Sequence, residues 1–430
     1  MKTVRTILAI LILMMVPFAI SAGGQTDSAG GDTPITFWTF NELHQQFYEM
    51  AAEEWNKDNP TRKIELQAET FPYNDMHNKL LVALQSGVGA PAIVDIEISK
   101  FPNFLKGQIQ LEPMNEYVNP VVDQLVKSRL DIYAKDGNYY GLPFHVGAAV
   151  MYYNVEIMDA AGVNIDDIKT WDDYVQAGLK VKAATGKMMT SIETTDQWTF
   201  WPMISQRDSD FFNPDGSVAL DNKANIATLE FLHNMIYKQK IAATTPGGNH
   251  HSEEYYGAMN AGDFASVLMP MWYMGRFTDY MSDLKGKIAI RPLPSWTVGG
   301  KRSAGMGGTG TVVTKQAEYP EIAKEFLAYA KLSEKGNIQL WSFLGFDPPR
   351  WSVWDDPALK ATNKFTEYFV NDDIFGLLLE VKDEINPVTI TEQIPQASEL
   401  VKGDIMFQAL GDQSKTPAQA LKDAADKLRK

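Results

Sequence analysis

Strand-like and helix-like segments alternate near the start of this 430-residue chain, and that alternation limits the fold more than any other feature. The residue patterns suit strands at 35–40, 64–68 and 92–98, and apolar residues recur at helical spacing at 44–56 and 73–85. A β-α-β-α-β order builds an α/β sheet whose binding loops follow the carboxyl ends of the strands. We therefore predict an α/β protein, and its length favours two lobes over a single core.

Residues 1–24 have the layout of a cleaved export signal followed by the start of a tether. Lys2 and Arg5 precede an apolar stretch at 7–20, which is shorter than the roughly 20 residues that a membrane span needs. The chain contains no cysteine, so we expect no lipid anchor on an N-terminal thiol, no disulfide and no thiol chemistry. A soluble exported protein of this kind is expected in a periplasm.

The charge balance of the chain is acidic. The 54 Asp and Glu residues outnumber the 39 Lys and Arg residues, which gives a net charge of −15. Nucleic acids and anionic membranes would repel such a protein, so neither is expected as its main partner.

The histidine and glycine motifs do not indicate a catalytic or cofactor site. His250 and His251 lack the i, i+4 spacing of a helical zinc site, and we interpret them as part of a solvated loop. Residues 305–310 match G-x-G-x-x-G, but a strand-like segment follows where a nucleotide site needs a helix. We expect no metal and no cofactor, and we interpret these glycines as points where the backbone bends or approaches a ligand.

Acidic and aromatic residues form the most informative pattern. Asp95 and Glu97 share one face of a strand, which suits acceptors for hydroxyl groups or ordinary surface acids better than a glycosidase pair. Aromatic residues collect at the ends of the expected elements, although each alone also suits a core position: Trp38, Phe40, Phe144, Trp198, Trp201, Trp272, Tyr273, Trp341, Trp351 and Trp354. Sugar rings stack on aromatic faces while acids accept their hydroxyls, so the set as a whole favours a carbohydrate cleft.

A series of short motifs runs through the chain in order. Ile-Thr-Phe-Trp stands at 35–38, and Gly-Leu-Pro-Phe-His-Val-Gly stands at 141–147. The most specific are Met-Pro-Met-Trp-Tyr-Met-Gly at 269–275 and Arg-Ser-Ala-Gly-Met-Gly-Gly-Thr-Gly at 302–310. Over 35–428 the chain resembles the family 1 extracellular solute-binding proteins, the periplasmic sugar receptors of ATP-driven (ABC-type) importers. It is similar to the branch that handles disaccharides and plant-type oligosaccharides or pentoses.

The resemblance implies a two-lobed periplasmic-binding-protein fold with three hinge crossings and the ligand held between the lobes. The implied segments are 33–146 and 305–343 for lobe 1, 147–304 and 344–430 for lobe 2, and crossings near 146–149, 304–308 and 341–348. It also implies a monomer without enzymatic activity. Such a receptor captures a carbohydrate by lobe closure and delivers it to the permease subunits of an ABC importer.

The resemblance carries ligand-binding roles over to particular positions. These positions are Trp38, Phe40, Glu97, Phe144, His145, Trp272, Tyr273, Gly307, Gly308, Trp341 and Arg350. Trp272 is expected to stack on a sugar ring, and Glu97 and His145 are expected to orient hydroxyl groups.

Two other functions stay open at this point. The ligand could be a phosphorylated polyol such as glycerol 3-phosphate, which would need cations in the cleft, with Arg276, Arg302 and Arg350 as candidates. Alternatively, the chain could be an exported glycoside hydrolase with a tryptophan-lined groove.

Overall fold

The computed structural model describes residues 32–386 and 388–430, so the predicted export signal lies outside the described residues. The strands are β1 (Thr33–Thr39), β2 (Ile64–Thr70), β3 (Ile93–Glu97), β4 (Ala134–Lys135), β5 (Asn138–Tyr139), β6 (Gly141–Pro143), β7 (Ala149–Asn154), β8 (Thr190–Ile192), β9 (Ala242–Thr244), β10 (Ser266–Pro270), β11 (Ile288–Pro292) and β12 (Thr309–Val313). The α-helices are α1 (Glu42–Asp58), α2 (Tyr73–Ser86), α3 (Asn115–Val118), α4 (Lys127–Asp131), α5 (Val155–Ala160), α6 (Trp171–Thr185), α7 (Phe200–Ser205), α8 (Lys223–Tyr237), α9 (Glu253–Asn260), α10 (Met274–Tyr280), α11 (Pro320–Leu332), α12 (Glu334–Leu344), α13 (Lys364–Tyr368), α14 (Ile374–Val381), α15 (Ile394–Leu400) and α16 (Pro417–Leu428).

Helix boundaries follow the capping chemistry of the sequence. Thr170 and Asp173 form a reciprocal capping box at the start of α6, and the Thr416 side chain accepts from the Gln419 N–H at the start of α16. A short 3₁₀ helix at Phe101–Leu105 follows β3. No helix within the described ranges is long and apolar enough to cross a bilayer.

Lobe 1 is built on a five-stranded sheet in the order β2-β1-β3-β12-β6. The first three of these strands run parallel, whereas β12 is antiparallel to both β3 and β6. Helix α1 turns Phe47, Tyr48 and Trp55 into the core beneath this sheet, where α11 and α12 also pack. The carboxyl ends of β1 and β3 therefore open at one edge of the lobe, as the β-α-β pattern predicts.

Lobe 2 is built on the antiparallel strands β10-β7-β11. The parallel pair β8 and β9 lies beside them, joined through a bridge between Met188 and Phe264. Helices α8 and α16 pack together on this lobe. The prediction of a two-lobed α/β fold is confirmed.

The buried side chain of Asp347 holds the segment at 147–148, and the segment at 306 joins them through Gly147. Its Oδ1 accepts from the Gly147 N–H at 3.0 Å and its Oδ2 from the Ala148 N–H at 2.7 Å. The Met306 N–H in turn donates to the Gly147 carbonyl at 2.8 Å. Burial raises the pKa of Asp347 to about 6. The lobe boundaries given above stay a prediction, with this junction as their physical basis.

Candidate functional site

A cavity of about 680 Å³ lies between the two lobes, within the size range of small-molecule sites. We call it the interlobe cavity. Its lining residues are Phe40, Asn41, Leu43, His44, Tyr73, Asn74, Glu97, His145, Thr195, Asp196, Trp198, His251, Trp272, Gly275, Arg276, Gly307, Gly308, Thr309, Phe346, Glu399, Lys402, Gly403 and Phe407. Six of the positions named from the sequence are among them: Phe40, Glu97, His145, Trp272, Gly307 and Gly308.

Glu97 is the last residue of β3 and lies on the lobe 1 wall of the cavity. Only one of its two carboxylate oxygens accepts hydrogen bonds from the described residues. Its Oε2 accepts from the Tyr73 hydroxyl at 2.8 Å and from the Ser99 N–H at 2.9 Å, and the Ser99 hydroxyl donates to it as well. Its Oε1 is buried and has no hydrogen-bond partner among the described residues. A buried acceptor without a partner costs about 1–3 kcal/mol, so this oxygen suits a ligand hydroxyl.

Behind this wall, Asp95 fixes the ends of the lobe 1 strands. It accepts from the Thr39 hydroxyl at 2.8 Å, from the Thr311 hydroxyl at 2.7 Å, and pairs with His44 Nδ1 at 2.9 Å. Burial lowers the pKa of His44, and the adjacent Asp95 offsets part of that effect. His44 therefore reaches the cavity from a fully buried polar cluster, in edge-to-face contact with Phe40.

Trp272 dominates the lobe 2 wall. The His251 ring lies nearly parallel to it, with centroids 5.8 Å apart, and Trp198 meets it edge-on at 6.4 Å. The indole Nε1 is buried without an acceptor among the described residues. The wall thus offers aromatic faces and one donor that a ligand oxygen could satisfy.

A second buried polar cluster supports this wall. Glu193 accepts from the backbone N–H of His250 and of Thr199, each at 3.1 Å. The Tyr273 hydroxyl donates to the His250 carbonyl, which ties the aromatic segment to the same loop. Burial raises the pKa of Glu193 to about 8 and lowers the pKa of His250 to about 3.

The glycines at 307 and 308 lie where the backbone passes close to side chains of both lobes. Gly307 has a positive φ of 68°, and a Cβ there would stand 3.3 Å from Trp272 Nε1. A Cβ at Gly308 would stand 2.6 Å from the Tyr133 hydroxyl and 2.8 Å from an Arg129 nitrogen. Any side chain would therefore displace neighbours in the cavity wall or beneath it.

His145 lies at the base of the cavity near the lobe junction. Burial lowers the pKa of His145 well below its ordinary value, with a further contribution from Arg129. Its Nδ1 has no partner among the described residues, and its ring meets Phe346 edge-on at 5.2 Å. A neutral imidazole can donate from one nitrogen and accept at the other, which suits a sugar hydroxyl.

Three aromatic residues named from the sequence pack away from the cavity. Trp38 contacts Phe71 edge-on at 5.3 Å, and Phe144 stacks on His44 at 4.1 Å inside the lobe 1 core. Tyr273 is fully buried with its hydroxyl turned to lobe 2. Phe144 and Tyr273 are chain neighbours of the cavity residues His145 and Trp272. Tyr273 belongs to a 3₁₀ turn, Met271–Tyr273, in which successive side chains point about 120° apart.

Trp341 and Arg350, expected near the third crossing, also lie outside the cavity lining. The Trp341 indole is fully buried and donates to the Leu359 carbonyl at 2.9 Å. Arg350 donates to the Leu332 carbonyl at 2.6 Å and pairs with Glu334 at 3.1 Å. Both side chains are occupied in packing around the junction.

The interpretation of the two adjacent histidines as a solvated loop is wrong. His250 is buried beside Glu193, and His251 lines the cavity against Trp272. No cluster of three or more His, Asp or Glu residues that could hold a metal occurs within the described ranges.

Sequence reasoning did not assign several cavity residues. Asp196 follows the end of β8, a position that could have drawn attention because sheet ligands bind at strand carboxyl ends. Trp198 belonged to the aromatic set noted in the sequence but was given no ligand-binding role of its own. Lys402 comes from a π-helical turn, Val401–Ile405, that continues α15. Phe346 follows α12, and no local pattern marks it or Lys402 as a ligand contact.

The charges around the cavity are slightly acidic. Three carboxylates and two cations line the cavity: Glu97, Asp196 and Glu399 with Arg276 and Lys402. Of the three arginines proposed for a phosphorylated ligand, Arg276 alone lines the cavity. Arg302 instead forms ion pairs with two lobe 2 carboxylates, Glu380 and Glu384.

A family model described as bacterial extracellular solute-binding protein matches residues 39–337. The chain belongs to this family. The arabinooligosaccharide-binding protein of Halalkalibacterium halodurans is 54% identical over 94% of this chain and 90% of the relative. The protein of the same name from Bacillus subtilis is 53% identical over 97% of this chain and 98% of the relative.

Solved structures show the same fold at low identity. The GacH receptor of Streptomyces glaucescens, solved unliganded and with acarbose, superimposes with a TM-score of 0.77 at 19% identity, covering 93% of this chain and 98% of the receptor. A transporter-associated binding protein of B. animalis subsp. lactis, in complex with β-1,6-galactobiose, gives 0.78 at 21% identity, covering 93% and 97%. The members of this family are solute-binding proteins and not enzymes, so the hydrolase alternative is excluded.

Proposed function

We propose that the chain captures an arabino-oligosaccharide in the interlobe cavity and delivers it to an ABC permease. Two relatives named for this ligand class match more than nine-tenths of the chain at over half identity. The observation that carries the proposal is a set of three buried polar atoms without protein partners beside aromatic faces. These atoms are Glu97 Oε1, His145 Nδ1 and Trp272 Nε1.

These groups divide recognition between the lobes. The ring of Trp272 stacks on the apolar face of a sugar unit, while Glu97 and His145 bond its hydroxyls from the other side. Each of these groups gains a hydrogen-bond partner only when a ligand fills the cavity between the lobes. Ligand binding therefore favours the arrangement in which the two lobes are closed. Gly147 and Gly307, both at positive φ, supply backbone freedom at the junction.

The charge of the cavity supports a neutral ligand over a phosphorylated polyol. Three carboxylates against two cations leave no surplus of positive charge for a phosphate. Moreover, Arg276 lies beside Tyr280, where its guanidinium stands 5.7 Å from the ring centroid. The glycerol 3-phosphate alternative therefore has weaker support than an oligosaccharide.

Titration calorimetry of the purified exported chain tests this function. The panel contains arabino-oligosaccharides, maltotriose, lactose and glycerol 3-phosphate, with Trp351→Ala as a control variant because Trp351 is 51% exposed outside the cavity. We expect heat from arabino-oligosaccharides alone and equal binding by the control. Binding of glycerol 3-phosphate that weakens with added salt would instead favour the phosphate ligand.

We further propose that the exported protein acts as a soluble monomer in a periplasm. The family is extracellular, and the sequence contains no cysteine thiol for lipid attachment. Release by osmotic shock and a sedimentation mass of one chain are the expected results. Retention in the membrane fraction would contradict the soluble form.

A further inference from the structure

A second cavity of about 660 Å³ adjoins the interlobe cavity, and we call it the outer groove. It lies between α1 of lobe 1 and α10 of lobe 2. The two cavities share four lining residues: Phe40, Asn41, Leu43 and Arg276. The outer groove is therefore a continuation of the ligand cleft and not a separate surface feature.

The opposite end of the cleft is bridged by side chains of the two lobes. Lys100 of lobe 1 pairs with Glu399 of lobe 2 at 2.8 Å, and Glu399 itself lines the interlobe cavity. Lys135 pairs with Glu392 at 3.3 Å, and α15 packs on Phe101–Leu105 next to these pairs. A ligand that extends beyond the interlobe cavity thus meets these bridges at one end and the outer groove at the other.

The outer groove has the chemistry of a sugar-binding surface. Gln46 of α1 and Asp279 of α10 expose polar side chains from facing lobes, with Tyr280 and Phe343 nearby. The Gln46 amide makes no hydrogen bond within the described residues, so its donor and acceptor are both available. Polar side chains with adjacent rings suit hydroxyl-rich units better than an apolar partner.

We propose that the outer groove binds the distal units of an arabino-oligosaccharide whose inner units fill the interlobe cavity. This inference rests on the proposed function and adds a direction to it, because the outer groove continues the ligand cleft toward α1 and α10. Affinity should then rise with ligand length until the groove is filled. The groove residues should affect long ligands and leave short ones unchanged.

A length series tests the proposal by calorimetry. The arabino-disaccharide and arabino-octasaccharide are titrated into the wild type, the double variant Gln46→Ala/Asp279→Ala, and the matched control Gln67→Ala/Asp283→Ala. The control removes an exposed Gln and an exposed Asp from the same two lobes outside the groove. Losing two hydrogen-bonding groups should weaken octasaccharide binding by about tenfold, with disaccharide binding within about twofold.

Disaccharide binding reports that each variant is folded and its inner site intact. Equal losses for the two ligands, or no loss for either, would overturn the outer groove as a binding site. Equal wild-type affinity for the two lengths would overturn it as well. Failure of the wild type to bind either ligand would overturn the proposed function itself, so the two failures are distinguishable.

Discussion

Each wall of the interlobe cavity is backed by a buried pair of a carboxylate and a histidine, but the two pairs are built differently. In lobe 1, Asp95 contacts His44 at 2.9 Å and accepts from two strand-borne hydroxyls. In lobe 2, Glu193 lies 3.5 Å from His250 Nδ1 and accepts mainly from backbone N–H groups. The lobe 1 pair joins strands of a sheet, whereas the lobe 2 pair joins loops.

This difference explains what each wall presents to a ligand. Strand ends hold Glu97 in a fixed position, so lobe 1 offers a preset acceptor for a hydroxyl. The lobe 2 loops carry Trp198, His251 and Trp272, whose rings form a stacking surface supported by Glu193. We therefore expect lobe 2 to supply most of the binding energy and lobe 1 most of the orientation.

Replacing Trp272 with alanine should have the largest effect. It removes the central ring of the lobe 2 wall, and loss of such stacking should weaken arabino-oligosaccharide binding by about 100-fold. Calorimetry measures the change, with the exposed Trp351→Ala as the matched control. Unchanged affinity would show that the lobe 2 wall is not the stacking surface.

Glu97→Gln tests the lobe 1 wall. Glutamine can keep the bonds from Tyr73 and Ser99, but it turns the unpartnered Oε1 into an N–H donor. Loss of a charge-assisted acceptor should weaken binding by about 20-fold. The exposed Glu69→Gln on the same sheet is the control for isothermal titration. A larger loss here than for Trp272→Ala would reverse the assignment of roles to the walls.

Glu193→Gln probes the polar cluster behind lobe 2 through the pH dependence of stability. The folded pKa of Glu193 is about 8 against an ordinary 4.5, so the folded state holds a proton that the unfolded state has released. Stability therefore falls as pH rises from about 4.5 through about 8. When the pH is raised from about 7 to about 9, ionisation of this carboxyl should lower the free energy of unfolding of the wild type by about 1 kcal/mol.

Urea unfolding at these two pH values measures that loss, and the variant should lack it. The control is Glu253→Gln, an exposed carboxyl on α9 of the same lobe, which should retain the wild-type pH dependence. An equal loss of stability in the wild type and in Glu193→Gln would mean that Glu193 is ionised in the folded protein.

The comparison of the walls also shows which features the sequence could predict. The strand patterns and the helical spacing of α1 and α2 are local features of the sequence, so they predicted these elements of the fold well. The sequence also distinguished the glycine run at 305–310 from a nucleotide-binding loop, because a strand and not a helix follows it.

The cavity itself was only partly predictable. The resemblance named two adjacent pairs, Phe144 with His145 and Trp272 with Tyr273. In the structure, His145 and Trp272 line the cavity, whereas their neighbours do not. Local spacing alone did not decide which neighbour faces inward. Lys402 could not be predicted, because its position in the cavity wall depends on the packing of distant segments.

Lys100→Met should have the smallest effect on ligand affinity. It tests how much a direct ion pair between the lobes contributes to lobe closure. Its ion pair with Glu399 joins the lobes, but the Glu399 side chain is 62% exposed, so solvent screens the attraction. We expect affinity to fall by no more than about threefold at low salt, and by less at high salt. Lys106→Met, whose partner Asn103 lies in the same lobe, is the control. A loss above about tenfold would mean that this bridge, and not the ligand between the walls, provides most of the energy of closure.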